Sequence, residues 1–152
     1  LFNVHSAYLP EADEVTVVSR TTSQVLAVIE SVFSAEDALA FQKLTRQVPV
    51  ADDLVRYAVR LTAASRPGQT DTPDFINQWL NWGAGTRAAQ ALIIGAKARA
   101  LWQGRSHVTG KDITKLAAPV LRHRLLLNYR AEAEGIDADA VVARLLETVR
   151  LV

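Results

Sequence analysis

The residues best suited to chemistry lie in one run, Trp82-Gly83-Ala84-Gly85-Thr86-Arg87-Ala88-Ala89-Gln90. Two glycines let the backbone turn tightly, and the turn delivers Arg87 to the start of a helix with Thr86 as its expected cap. A cation is electrostatically misplaced there, because the helix dipole favours anions at its N-terminus. A guanidinium beside unpaired helix N–H groups suits an external anion, phosphate above all. The competing reading is a solvated Arg87, or one paired with a nearby acid such as Asp74.

Elsewhere the candidates are weaker. Trp79 and Trp82 could stack on a base, but their helical spacing with Phe75 favours core packing. Lys97, Arg99 and Arg105, with Arg122, His123 and Arg124, form basic clusters that read as a solvated face rather than a nucleic-acid stripe. Thr109 to Leu127 imitates a helix-turn-helix, with Pro119 badly placed for a recognition helix. Glu132, Glu134, Asp137 and Asp139 read as a charged connector, since they lack the ligand spacing of a calcium loop. Phosphate-loop, dinucleotide-fingerprint, nucleophile-elbow and zinc-protease motifs are all absent.

Composition narrows the choice further. With 17 basic and 16 acidic residues in 152, charge alone does not argue for nucleic acid or an anionic membrane as partner. Cysteine is absent, which excludes disulfides, thiolate nucleophiles and cysteine-based metal sites. His5, His107 and His123 show no helical i, i+4 spacing, so no metal site is expected. The longest apolar stretch, Ala88 to Ala100, is broken by Gln90, Lys97 and Arg99 and is too short for a bilayer. No signal segment opens the chain, so a cytoplasmic protein is expected. Methionine is also absent, so the chain is expected to be a mature product or a fragment.

The elements that must position Arg87 are mainly helical. Leu1 to Tyr8 alternates like a half-buried strand with no partner in view, and Leu9-Pro10 opens a helix with acids in its first turn. Gln24 to Phe33 reads as a short helix or a loop. Ser34 caps the next helix, Pro49 ends it, and Leu54, Val55, Ala58, Val59, Leu61 and Thr62 form an amphipathic stripe. Arg66 to Pro73 is the clearest loop. Phe75 to Trp82 supplies another apolar helix face. The Ala-rich helix from Ala88 to Leu101 is apolar nearly all round, as expected of a helix in the centre of a bundle. Thr109 and Asp112 start a further helix that Pro119 should kink or break. Beyond Gly135 and Asp137 a last helix carries Val141, Val142, Leu145, Leu146 and Val149. The sum is one strand and roughly six or seven helices.

The run Trp82 to Gln90 resembles the lid subdomain of MoxR-type AAA+ ATPases. The resemblance extends through Val48-Pro49-Val50, Arg56 to Leu61, Ala96 to Leu101 with Gly104-Arg105, His107-Val108-Thr109 with Asp112-Ile113, and Ala118 to Arg124. Leu1 to Val4 and Pro10 to Glu14 resemble the junction leaving the ATPase core. The resemblance implies a helical lid over residues 34–152, preceded by a core remnant and connector over 1–33 with an orphan strand. It implies a full-length parent that binds ATP and magnesium, hydrolyses ATP in a ring, usually a hexamer, and remodels or matures partner proteins. Those partners often carry von Willebrand factor A domains.

By position, Arg87 matches the family's sensor 2 arginine, with Gly85 and Thr86 beside it at the nucleotide. The family's phosphate loop, Walker B acids and arginine finger match nothing here, so the chain alone should be inactive. A stand-alone helical module that binds protein or nucleic acid is the alternative.

Overall fold

The structure, a computed structural model, describes residues 2–23 and 29–151. Eight α-helices and one two-stranded sheet are present among them. Helix α1 spans Glu11–Thr21, α2 Ala35–Gln47, α3 Asp52–Ala64 and α4 Asp74–Trp79. Strand β1, Leu80–Trp82, precedes α5, Thr86–Trp102. Helix α6, Gly110–Leu121, runs into a 3-10 turn, Arg122–Arg124, and then β2, Leu126–Leu127. Helices α7, Tyr129–Ala133, and α8, Ala138–Thr148, complete the order.

Local chemistry sets most of these limits. Asp37 N–H donates to Ser34 Oγ at 3.0 Å and Ser34 N–H donates back to Asp37 Oδ2 at 2.9 Å, a capping box that starts α2. The Asp37 carboxyl is held below the usual carboxylate range first by the Ser34 N–H and then by the Ser34 hydroxyl, which donates to the same oxygen at 2.8 Å. Thr109 N–H donates to Asp112 Oδ2 at 2.8 Å at the start of α6, and Asp137 Oδ1 accepts from Ala140 N–H at 2.7 Å at the start of α8. Gly104, at φ +68, ends the turn after α5 in the left-handed region that glycine enters freely.

Helix α5 lies at the centre. Ala88, Ala91, Leu92, Ala96 and Ala100 are buried, and α2, α3 and α6 pack against it. Small residues on α5 let its neighbours approach closely. Helix α3 presents Leu54, Tyr57, Ala58, Leu61 and Thr62 inward, one stripe at helical spacing. Helix α8 contributes Val141, Val142 and Leu145, packed on α6.

The first residues differ from the strand expected of them. Residues 2–10 form no strand and pair with no strand among the described residues. Instead Asn3 N–H donates to Pro119 C=O at 2.8 Å, and Arg122 donates to Asn3 C=O at 3.3 Å. The ring of Phe2 fits over Gly95 of α5, where an added Cβ would lie 2.7 Å from Phe2 Cζ.

Two further expectations are corrected. The apolar helix of Phe75 to Trp82 stops at Trp79, and Leu80 to Trp82 pairs antiparallel with Leu126–Leu127 across an irregular register. Helix α6 passes through Pro119 and ends only at Leu121. Pro119 therefore does not break the helix, although it forgoes one i→i−4 bond near the helix end. The described part of the Gln24 to Phe33 segment, residues 29–33, is not helical, and residues 24–28 lie outside the described residues.

Candidate functional site

Helix α3 and the turn before α5 are fastened together over 19 residues of sequence. Ser65 is fully buried; its Oγ donates to Thr62 C=O at 2.7 Å and accepts from Ala84 N–H at 2.9 Å. Arg66 Nε donates to Ala84 C=O at 2.9 Å. Both backbone groups of Ala84 are thereby held from α3. Gly83 sits hard against this anchor, since a Cβ there would lie 2.1 Å from Ser65 C=O. Only glycine permits that approach. Gly85 differs: it faces open space and its φ of −84 suits any residue.

Gly85, rather than Thr86, occupies the N-cap position of α5; Thr86 is the first helical residue and Arg87 the second. No side chain caps α5, and its first turn holds no acid. Among the eight helices of the described residues, α5 alone lacks both. The others have first-turn acids, and α2, α6, α7 and α8 also have polar side chains on their first N–H groups. Arg87 is exposed and makes no ion pair or hydrogen bond among the described residues, so the pairing with Asp74 does not form. The start of α5 therefore joins a free guanidinium to N–H groups and a positive dipole end that no acid neutralises.

Trp82 leaves the core reading behind. It is 72% exposed and borders a hollow of about 340 Å³ shared with Arg66, Gln69, Asn81, Gly83 and Gly85. The sequence placed Trp82 on a helix face, but the strand pairing turns it outward. Trp79 remains packed: Phe75 lies 5.7 Å away, Arg144 stacks over both rings, and the indole N–H donates to Glu134 at 2.9 Å.

Most basic clusters are committed to partners. Asp112, fully buried, accepts from Arg99 at 2.8 Å and from Arg105 at 2.7 and 2.8 Å. Its carboxyl is held far below the usual range, chiefly by Arg105 and further by Thr109 and Arg99, against the opposing effect of burial. Arg122 grips Asp139 through two hydrogen bonds, and Lys97 donates to Arg46 C=O. His123 is shifted toward the neutral form, first by partial burial and then by Arg124. The helix-turn-helix imitation is not built, because a 3-10 turn and β2 follow α6. Glu134 receives Arg130 as well as Trp79, and these two hydrogen bonds hold its pKa below the usual value. No group of three metal-ligating side chains converges among the described residues.

Residues 76–145, which include the whole turn and α5, match the AAA lid domain. The chaperone MoxR1 of Mycobacterium tuberculosis is 32% identical, over 99% of this chain and 40% of its own length. Residues 76–145 thus carry an AAA lid domain, and the chain as a whole is similar to a MoxR-type protein. The uncharacterized protein YeaC of Bacillus subtilis is 28% identical over 99% of this chain and 45% of its own. A crystal structure of a candidate ATPase from Cytophaga hutchinsonii superposes with a TM-score of 0.87 at 30% identity, covering 99% of this chain and 46% of that one. The lid chain thus spans less than half the length of these relatives. Among its described residues, no helix is long and apolar enough to cross a membrane.

Ser65 and Arg66 are the positioning residues that sequence reasoning missed, and of the two glycines it noted only Gly83 is pressed against Ser65. Their partners lie 18 or 19 positions away, beyond the reach of any local signal.

Proposed function

We propose that this lid belongs to an ATP-hydrolysing, ring-forming AAA+ protein and that Arg87 is its sensor 2 arginine. The observation that carries the reading is the start of α5, where an unpaired Arg87 stands at the one helix with neither cap nor first-turn acid among the described residues. Arg87 holds a phosphate oxygen through its planar fork and remains protonated throughout. Thr86 and its neighbours at the helix start add backbone N–H donors toward the same charge. These contacts strengthen as charge builds on the transferring phosphoryl group, so they favour the transition state over bound ATP. Ser65 and Arg66 hold the turn, and the turn holds Arg87, so α5 moves with the lid as one piece. Closure brings Arg87 to the phosphates; loss of the γ-phosphate frees it.

Magnesium, which neutralises phosphate charge when bound, would be held by residues of the parent's nucleotide-binding core. Residues 1–33 are assigned to the core and its connector, and 34–152 to the lid. Packing of α2 on α5 supports that boundary. Helices α1 and α2 bury no residue, and Val15, Val18, Leu39 and Phe41 stay more than half exposed. Such a face suits packing against the parent's own core or a neighbouring ring subunit, in a hexamer. Chaperone-like remodelling of partners, including those with von Willebrand factor A domains, and a cytoplasmic setting complete the proposal.

Arg87→Ala in the full-length protein tests it. ATP turnover should fall on the order of 10-fold or more, with the melting temperature of the lid unchanged or slightly raised. Arg87→Lys should recover only part, because an ammonium lacks the fork. Unchanged turnover, or a lid that melts far lower, would make Arg87 a structural residue.

A further inference from the structure

A second surface of the lid carries its own chemistry, away from the start of α5. The Arg66–Pro73 loop, the end of α3 and the end of α8 enclose an open groove of about 700 Å³. Three guanidinium groups line it: Arg60, Arg66 and Arg150. None of the three has a carboxylate partner among the described residues. Their recorded hydrogen bonds all go to backbone carbonyls: Arg60 to Arg150, Arg66 to Ala84 and Arg150 to Glu147. Asp71 is the one acid on the wall, so the groove concentrates positive charge in a chain whose basic and acidic residues nearly balance. By contrast, Arg99, Arg105, Arg122 and Arg130 all have acidic partners.

The floor between the arginines is apolar, formed by Ala63, Ala64, Pro73 and Val149. A lone phosphate would gain nothing from that floor and would fill little of the volume. A peptide that alternates carboxylates with aliphatic side chains would use both features, with bidentate contacts to the guanidinium forks and burial of its apolar groups. The volume falls within the usual range of ligand-sized clefts, enough for a few residues of such a peptide.

We infer that this groove docks an acidic, aliphatic peptide segment of a partner protein. The inference does not depend on ATP chemistry. Arg66 nevertheless links the two regions, because its Nε holds the turn that leads to Arg87 while its other nitrogens remain for the groove.

The test uses the full-length protein and a fluorescein-labelled hexapeptide of alternating glutamate and leucine, followed by fluorescence anisotropy. Saturable binding is expected, with Kd about 100 μM or tighter at low salt, weakening as ionic strength rises toward about 0.5 M. Arg60→Glu and Arg150→Glu should each weaken binding about 10-fold or more. Arg20→Glu on α1, which lines no part of the groove, makes the same charge change and should leave binding intact. All three sites are exposed, and melting curves would verify that the variants fold. The inference is overturned by absence of saturable binding or by equal binding of all three variants. A glutamate–serine peptide that binds as well would equally overturn it, as would full displacement by inorganic phosphate at about 10 mM.

Discussion

Gly83→Ala should be the most damaging single-methyl change in the lid. The new Cβ would lie 2.1 Å from Ser65 C=O, 2.6 Å from Ser65 C and 2.7 Å from Arg66 Cα, all backbone atoms that cannot swing aside. The turn must therefore retreat from α3. Overpacking of this kind costs about 1–3 kcal/mol. Retreat also stretches the hydrogen bond from Ala84 N–H to Ser65 Oγ, and both residues are buried, so an unmet donor adds about 1–3 kcal/mol. A total of roughly 3 kcal/mol corresponds to a fall in melting temperature of about 6–12 °C for a chain of this size. Gly85→Ala is the matched control, because its Cβ would meet open space. Replacing glycine by alanine at a helix N-cap costs under about 1 kcal/mol, or about 3 °C. Thermal melting of the purified chain by circular dichroism reads both. In the full-length protein, Gly83→Ala should also depress ATP turnover, because Arg87 loses its anchor. A Gly83→Ala chain that melts within about 2 °C of the parent would refute the fastening of the turn to α3.

Other outcomes follow from the same contacts. Asp112→Asn should destabilise by roughly 3 kcal/mol, since it removes the charge that Arg99, Arg105 and Thr109 share in a buried site. Because folding depresses the Asp112 pKa, its contribution is fully present above the ordinary value of 3.8 and is lost as pH falls below it. Urea unfolding should thus show a constant gap between parent and Asp112→Asn from pH 7 to about 5, closing below about pH 4; a gap that closes near neutrality would contradict the assignment. Hydrogen exchange should protect the Asn3 amide, which bonds to Pro119, while residues 4–8 exchange fast and α5 exchanges slowly. Equal rates at Asn3 and its neighbours would remove the contact with α6. The purified chain of 152 residues should release no more phosphate from ATP than a protein-free blank, and magnesium-dependent turnover that survives repeated purification would count against its assignment as a lid.

Much of this lid was legible locally. Ser34 with Asp37, Thr109 with Asp112 and Asp137 with Ala140 start helices through contacts three residues apart. The stripe from Leu54 to Thr62 and the small-residue run of α5 announced which helices face the core and which lies at its centre. The word from Trp82 to Gln90 by itself points to Arg87 and resembles a family's motif. Each of these signals acts within one or two helical turns, so a single sequence can carry it.

Tertiary structure alone decided the rest. Trp82 carries the apolar spacing of a core residue, but pairing with Leu126 turns it outward. Phe2 and Val4 alternate as a strand does, yet a strand requires an edge, and the nearest acceptor was the Pro119 carbonyl of α6. Gly83 and Gly85 look equivalent in the sequence; only the approach of Ser65 makes one indispensable and leaves the other open. The arginines divide in the same way. Arg99 and Arg105 converge on Asp112, whereas Arg60, Arg66, Arg87 and Arg150 have no carboxylate partner among the described residues. Those choices depend on which distant segments meet, and the packing of α3, α5 and α6 settles them where residue type and spacing cannot.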